Sequence, residues 1–534
     1  MLTTLLPIFV IMPILVAVFL YVFSSSKSAR WIATVMQGIF VVMAVYMLHT
    51  SRTTEVIAAV GNYAGYLGII LRVDILAAVF VLLTVVIFLA VTLYNLRAPQ
   101  EHTGRLYWFL LFLLEGVLIG LFLTRDFFNI FVLVEVSTVV VTILLMFDRR
   151  RRNLKAGMTF IMINIVVMQF YLFGLGYLYF LTGVLDIEAA AVALQELDRA
   201  DVVLPYALIM TSIAAKCSLL PLLTFLPKVN ALIGSRFTIA AIMSGLHIKS
   251  GVYLFIRFTP IFGDMGMNFF LVMGLVTAFG GIILALAQKD IRLILAYSTI
   301  AQVGLIIAGF SLGDAHSYIG SVFHVVNHAL LKSALFIGAG MITFLYRTRD
   351  ITKIRGLLRA DAWLGAAHAL AILGMIGAPL FNGFTSKYFL MYGAGGALEW
   401  VFVVVNAGTM LVFVRYGRMF FGRPIQPPQD IENDWCRHSV VLALGLGGLA
   451  LGIGGTPLLT LLTGQDIAIS LSGFVQKSAI FLATLAGAML LYRHAPEKAE
   501  PLKRLRNLEL GFKPLCVSIG VFFAGLLVYV GWVV

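Results

Sequence analysis

Five ionisable side chains, Glu135, Lys216, Lys249, Lys332 and Lys387, stand inside otherwise apolar stretches of this sequence. On insertion scales each would cost at least about 2.5–3.5 kcal/mol at a bilayer centre, so chance is a poor account of five. Two histidines join them. In His324-Val-Val-Asn-His328-Ala-Leu-Leu-Lys332, proton-binding groups recur every fourth residue within an apolar run from about Tyr318 to Leu345. On a helix such positions keep to one side and climb roughly 12 Å. Burial weakens an ammonium's hold on its proton and a nearby carboxylate restores it, so moving one partner toggles the affinity. A Glu135/Lys216 pair followed by lysines and histidines at other depths is then a series of sites, each able to hold a proton in turn. Glu115, mid-way along its own apolar run, and His247, beside Lys249, form a second tier of candidates.

Blander chemistry fits the same residues. Glu135 and Lys216 suit a buried structural ion pair, Lys249 and Lys332 an interhelical hydrogen bond, and Lys387 a side chain reaching for the outer interface. His324 suits a helix contact as well as a relay. Ser137, Thr138, Ser218, Ser333 and Ser386 lie near these sites, where hydroxyls could hold water, but packing between membrane helices is the reading adopted for them.

The elements that must position these groups follow from composition. Of 534 residues 61% are hydrophobic and 12% charged, with a mean hydropathy of +1.00. A soluble domain of this length would need far more polar surface, so the fold class is an all-α polytopic membrane protein. Sixteen apolar spans are expected, near 1–23, 29–49, 74–95, 106–124, 127–147, 155–182, 203–219, 237–258, 265–287, 290–311, 318–346, 363–393, 396–421, 438–461, 477–493 and 510–534. Met1 to Phe23 has no basic n-region and no A-x-A-like site, and reads as the first helix rather than a leader. Cys217, Cys436 and Cys516 stand singly, which supports neither disulfides nor a zinc or iron–sulfur centre. The net charge of +13 gathers in alternate loops, as in Arg149-Arg-Arg-Arg152, and points to a membrane protein rather than to nucleic acid. Loops after odd spans are basic, which predicts both termini on the outer side.

Two spans are broken alike, by Pro221 and Pro227 beyond Lys216 and by Gly377, Pro379 and Gly383 before Lys387. Breaks at membrane depth need protein cover or water, and two of them five spans apart suggest an inverted five-helix repeat. The expected organisation is 1–105 for helices 1–3 with an outer-face hairpin at Asn62 to Arg72, 106–258 and 259–421 for the two repeats, and 422–534 for a cytoplasmic loop and the last helices. Asp186 to Asp201 and Gln465 to Phe474 read as short amphipathic helices. Arg415 to His438 reads as a solvated loop that leaves room for a soluble partner.

Seven motifs in this order resemble the proton-conducting antiporter-like subunits of respiratory complex I, membrane-bound hydrogenases and Mrp-type cation/proton antiporters. They are Phe128-Asn-Ile-Phe-Val-Leu-Val-Glu135, Tyr179-Phe-Leu-Thr-Gly-Val-Leu185, Lys216 with its Leu-Pro pair, Ser244-Gly-Leu-His-Ile-Lys249-Ser-Gly-Val-Tyr253, the stretch from Lys289-Asp-Ile-Arg to Gln302, Phe323 to Lys332, and Pro379-Leu-Phe-Asn-Gly-Phe-Thr-Ser-Lys387. The likeness covers roughly residues 70 to 420, and is nearest to the D-type Mrp antiporter subunits and the hydrogenase-type members. It implies a core of fourteen helices with two inverted repeats, in which Glu135 modulates Lys216, Lys249 and the His324/Lys332 ladder relay, and Lys387 leads to the far side. Two departures stand out. Lys228 to Arg236 lacks the proline usual there, and two further spans follow the fourteenth.

The expected function is proton translocation, with sodium left open, by a subunit of an energy-converting complex in a bacterial or archaeal cell membrane. Other membrane subunits are its expected partners. It brings no redox centre, cofactor or catalytic site of its own: the glycines form neither a G-x-G-x-x-G after a strand nor a P-loop. The alternatives are a membrane subunit that energises a soluble partner for bicarbonate or carbon dioxide uptake, and a non-conducting scaffold.

Overall fold

Aspartate opens one helix after another. Asp74, Asp126, Asp186, Asp198, Asp290, Asp314 and Asp361 each occupy an N-cap, and each side chain accepts a hydrogen bond from a backbone N–H of the first turn. The cap satisfies donors that the helix itself leaves orphaned, and it fixes where each span begins. The computed structural model describes residues 2–60, 68–97, 104–222, 237–424, 434–464, 466–494, 505–506 and 511–534.

In chain order, α1 (Leu2–Val22) and α2 (Ser26–Ser51) precede an antiparallel pair, β1 (Val56–Ala59) and β2 (Ile70–Val73), with Val56 opposite Val73. Then come α3 (Ile75–Asn95), α4 (Arg105–Leu123), α5 (Phe127–Met146), α6 (Arg151–Thr182), α7 (Ile187–Leu194) and α8 (Arg199–Lys216). Next, α9 (Phe237–Ile242) runs through a π-turn, Met243–His247, into α10 (Ile248–Phe258), followed by α11 (Met267–Ala287), α12 (Ile291–Phe310) and α13 (Ala315–Tyr346). The chain continues with α14 (Ala362–Ile376), α15 (Asn382–Ala394), α16 (Gly396–Gly417), α17 (Trp435–Ile453), α18 (Gly455–Thr463), α19 (Leu471–His494) and α20 (Phe512–Val533). Among the described residues thirteen helices are long and apolar enough to cross a membrane.

Helix stands at each of the sixteen expected spans, with three local differences. Of the amphipathic helix expected at Gln465 to Phe474, residues 466–470 are not helical and Gln465 lies outside the described residues. Ser470 instead caps α19 through its hydroxyl on the Gly473 N–H at 3.1 Å, so that span starts at Leu471. The span expected at 438–461 is divided at Gly454 into α17 and α18. The hairpin pairs β2 with Val56–Ala59, a stretch whose residues alternate buried and exposed; residues 61–67 of its expected turn lie outside the described residues, as do Lys228 to Arg236 and 425–433 of the loop before His438.

The chain divides into two compact units, one of Met1–Cys217, Ser250–Gly266 and Phe512–Val534, the other of Ser218–Lys249 and Met267–Gly511. In the first, α1 packs on α4, α5 on α6, α6 on α8, and α20 on α8. Phe80, Phe122 and Tyr253 meet at steep ring angles in one aromatic knot with centroids 5.0–5.2 Å apart. In the second, α12 packs on α11 and α13, and α13 on α15 and α17.

One clasp recurs in both. Phe127 N–H bonds Leu185 O at 2.9 Å and Ile187 N–H bonds Arg125 O at 3.0 Å; Ile291 N–H bonds Arg349 O and Ile351 N–H bonds Lys289 O, each at 2.9 Å. Asp126 and Asp186 are the same distance apart along the chain as Asp290 and Asp350, which face each other in the second clasp.

Arg257 forks onto Asp74 with bonds of 2.5 and 2.6 Å, tying α10 to the start of α3. Burial alone would raise the Asp74 carboxyl, but the bond and charge of Arg257, the Ala77 N–H and the charge of Arg72 together hold it below the ordinary carboxylate range. A depressed carboxylate stabilises the fold above its unfolded value of about 4, and that contribution is lost as pH falls through the folded value. Asp74→Asn keeps a capping oxygen and loses the charged fork. It should cost about 2 kcal/mol at neutral pH and little in strong acid, read as melting temperature of the detergent-purified protein.

Candidate functional site

In the first unit the site is built where α8 stops. Lys216 is its last residue, and the chain turns away through Ser218 at a φ of +55°. The buried Lys216 ammonium donates to Asn164 Oδ1 on α6 at 2.7 Å and to Thr138 Oγ1 on α5 at 3.1 Å. Each acceptor spends its own donor on its own helix, Asn164 on Phe160 O and Thr138 on Val134 O, which leaves an oxygen lone pair facing the lysine. Glu135 lies within charge–charge reach of Lys216, yet among the described residues its buried Oε1 has no hydrogen-bond partner. Gly251 makes room at the break: a Cβ there would lie 2.8 Å from the Lys216 carbonyl carbon and 2.9 Å from the Cys217 nitrogen.

The second unit holds Lys249, His324, His328, Lys332 and Lys387, all buried. The π-turn sends the Ile248 N–H back to Met243 O, five residues away, and the neighbouring Ser244 carbonyl takes the Lys249 ammonium. Such turns recur at functional sites because they free a carbonyl inside a helix. Lys332 donates to Leu295 O at 3.1 Å and to the Ser298 hydroxyl, and lies 5.5 Å from the centre of the Phe413 ring. Lys387 donates to Asn406 Oδ1 at 2.6 Å and to Met375 O at 2.8 Å. The helix would have bonded Met375 O to the N–H four residues on, but that residue is Pro379, which has none. The lysine takes the carbonyl that the proline orphans. Gly383 allows the return of the chain, since a Cβ would fall 1.9 Å from Gly374 O.

The histidines differ. His324 is pinned by Ser386 Oγ at 2.9 Å on Nδ1 and Gln302 Oε1 at 3.0 Å on Nε2. The Gln302 amide nitrogen donates to Thr409 at 3.0 Å, so Oε1 accepts, and a neutral His324 carries its proton on Nε2. His328 is wholly buried with both ring nitrogens unpartnered among the described residues, its ring centre 6.4 Å from that of His324. Charge–charge interaction reaches from Lys249 to Lys332, and from His324 to Lys249 and Lys387.

Among the described residues no hydrogen bond brings Glu115 to the Lys216 site. It is fully buried and takes its bond from the Gln37 amide of α2. His247 is buried in the π-turn. Asn164, Gln302, Ser298 and Asn406 went unsingled in the sequence. Their signal was a lone polar group in an apolar span, passed over in favour of ionisable ones. Thr138 and Ser386, assigned there to packing, instead hold Lys216 and His324, whereas Ser137 and Ser333 do bond their own helices. Among the described residues no group of three or more His, Cys, Asp or Glu side chains could hold a metal ion.

Residues 124–412 match the model of the NADH:quinone oxidoreductase/Mrp antiporter transmembrane family. The chain belongs to that family. Glu135 and all the lysines and histidines of the site fall within the matched stretch, and Glu115 just before it. Among similar proteins, NADH-quinone oxidoreductase subunit N of Desulforudis audaxviator is 31% identical over 417 residues, covering 72% of this chain and 82% of the relative. The D-type Na(+)/H(+) antiporter subunit of Alkalihalophilus pseudofirmus is 29% identical over 394 residues, covering 72% and 79%. The same fold occurs in the Mrp complex from Dietzia sp., with a TM-score of 0.81 at 24% identity over 91% of this chain and 100% of that one. It occurs also in an archaeal membrane-bound sulfane sulfur reductase, with a TM-score of 0.79 at 22% identity over 91% and 99%. This antiporter-family chain is a multi-pass membrane protein, and its relatives are subunits of multisubunit membrane complexes.

Proposed function

We propose that the chain conducts protons across the membrane within a multisubunit complex of the cation/proton antiporter or redox-driven type. Glu135 and Lys216 serve in one unit, and Lys249, His324, His328, Lys332 and Lys387 in the other. One observation carries this reading: each of the four buried lysines is bonded to neutral carbonyl, hydroxyl or amide oxygens, and among the described residues none is salt-bridged. A lysine locked to a carboxylate cannot pass its proton on past that carboxylate without stranding the partner charge. A lysine on neutral oxygens loses its proton without breaking a salt bridge.

The recurring clasp and the two breaks five spans apart support a duplicated, inverted unit, and the basic loops after odd spans support both termini outside. The relatives' names support Na+ as the counter-ion of an antiporter assembly. In everted vesicles, a transmembrane pH gradient that collapses on adding Na+ identifies the antiporter type; one that forms on adding an electron donor identifies the redox type. In either assay Glu135→Gln should slow proton movement about tenfold, since it removes a charge worth about 1–2 kcal/mol to Lys216. Wild-type rates in an assembled Glu135→Gln complex would show that the carboxylate takes no part.

A further inference from the structure

Lys387 borders a cavity of about 30 Å³ whose wall includes Gly377 and Asn406 on one side and Lys477, Phe481 and Thr484 of α19 on the other. At roughly 10–15 Å³ per water this space has room for about two, and Lys387, Asn406, Lys477 and Thr484 are among the polar residues of a mostly apolar wall. On its far side the Lys477 ammonium is paired with the Glu399 carboxylate, in the first turn of α16. Exposure rises along the series. Lys387 is buried, the Lys477 side chain is 13% exposed and that of Glu399 28%. A buried proton carrier, a water-sized cavity, a second ammonium and a partly exposed carboxylate thus form a series of rising exposure.

We propose that Lys477 and Glu399 complete the path beyond Lys387, so that α19, one of the two spans beyond the usual fourteen, supplies a proton-carrying residue rather than a lipid-facing ornament. The proposal rests on the relay reading above. In the step envisaged, Lys477 passes a proton to the Glu399 carboxylate in contact with it, and the carboxyl releases that proton to the surface. The neutral Lys477 amine then takes a proton from the cavity water as that water takes one from Lys387. The full sequence of transfers leaves one proton fewer on Lys387 and one more outside, with Lys477, the water and Glu399 restored. A staple holding α19 to α16 would need the ion pair but neither the water nor the proton exchange.

The experiment compares proton flux in vesicles at equal amounts of assembled complex. Glu399→Gln removes the final acceptor, and Glu399→Asp restores one. Thr484→Leu fills the cavity without touching the ion pair, and Lys477→Met with Glu399→Leu together replace the staple by an apolar contact. Flux should fall about tenfold in Glu399→Gln and Thr484→Leu, stay low in the double variant and recover in Glu399→Asp, whose pH profile of flux should follow the wild type. Wild-type flux in assembled Thr484→Leu, or in the double variant, overturns the proposal. Lys387→Met separates the two levels of inference: if it too conducts normally, the relay reading fails, whereas if it alone is silent, only the exit assignment fails.

Discussion

Replacing Lys216 with methionine should cut proton translocation by the assembled complex by on the order of 10²-fold, while leaving its assembly near normal. The magnitude follows from what the side chain spares a passing proton. Without the ammonium, the charge must be carried past the break in α8 by water alone, at a depth where a buried charge costs about 2.5–3.5 kcal/mol, and each 1.36 kcal/mol is tenfold in rate. Methionine matches the length and apolar stem of lysine, so the packing around Gly251 is kept and the loss reports the ammonium. Asn164 and Thr138 would lose one bond each but keep those to their own helices. A scaffold or a purely structural cluster predicts the opposite pattern, with poor assembly and normal flux in whatever assembles. If Lys216→Met and Glu135→Gln complexes both moved protons at the wild-type rate, the relay would have to be abandoned. A flux assay in everted vesicles, normalised to assembled complex by immunoblot, makes the distinction.

Much of this was legible in the sequence because membrane depth makes charge expensive and breaks visible. Lys387 beside Pro379 is an example: an ammonium and a missing N–H in one apolar span already suggest that something unusual is satisfied there, though not that the partner is Met375 O. The π-turn ahead of Lys249 had no such signal, since Met243-Ser-Gly-Leu-His247 is compatible with an ordinary helix and only packing selects the wider turn. Asn164, Gln302 and Asn406 were hidden for another reason. A neutral amide costs far less to bury than a charge, so one amide in a span does not stand out until its partner across the helices is known. The pairing of Lys477 with Glu399 likewise joins residues far apart in the chain, each of which alone reads as a charge near a span end.

The second large effect is expected at Lys332, where charge and proton transfer can be separated. Lys332→Met should silence the path to about the same extent as Lys216→Met, for the same reason. Lys332→Arg is the sharper test. A guanidinium keeps a positive charge near Leu295 O, Ser298 and the Phe413 ring, so a role in holding α12 and α16 against α13 would survive. Arginine does not give up its proton at any accessible pH, so a role as carrier would not survive. The expected result is an arginine variant that assembles well and conducts as poorly as the methionine one. Flux restored by arginine would make Lys332 an electrostatic post rather than a carrier. The carrier role would then fall to His328, whose ring nitrogens are both buried without a partner among the described residues, and whose replacement by phenylalanine would become the decisive measurement.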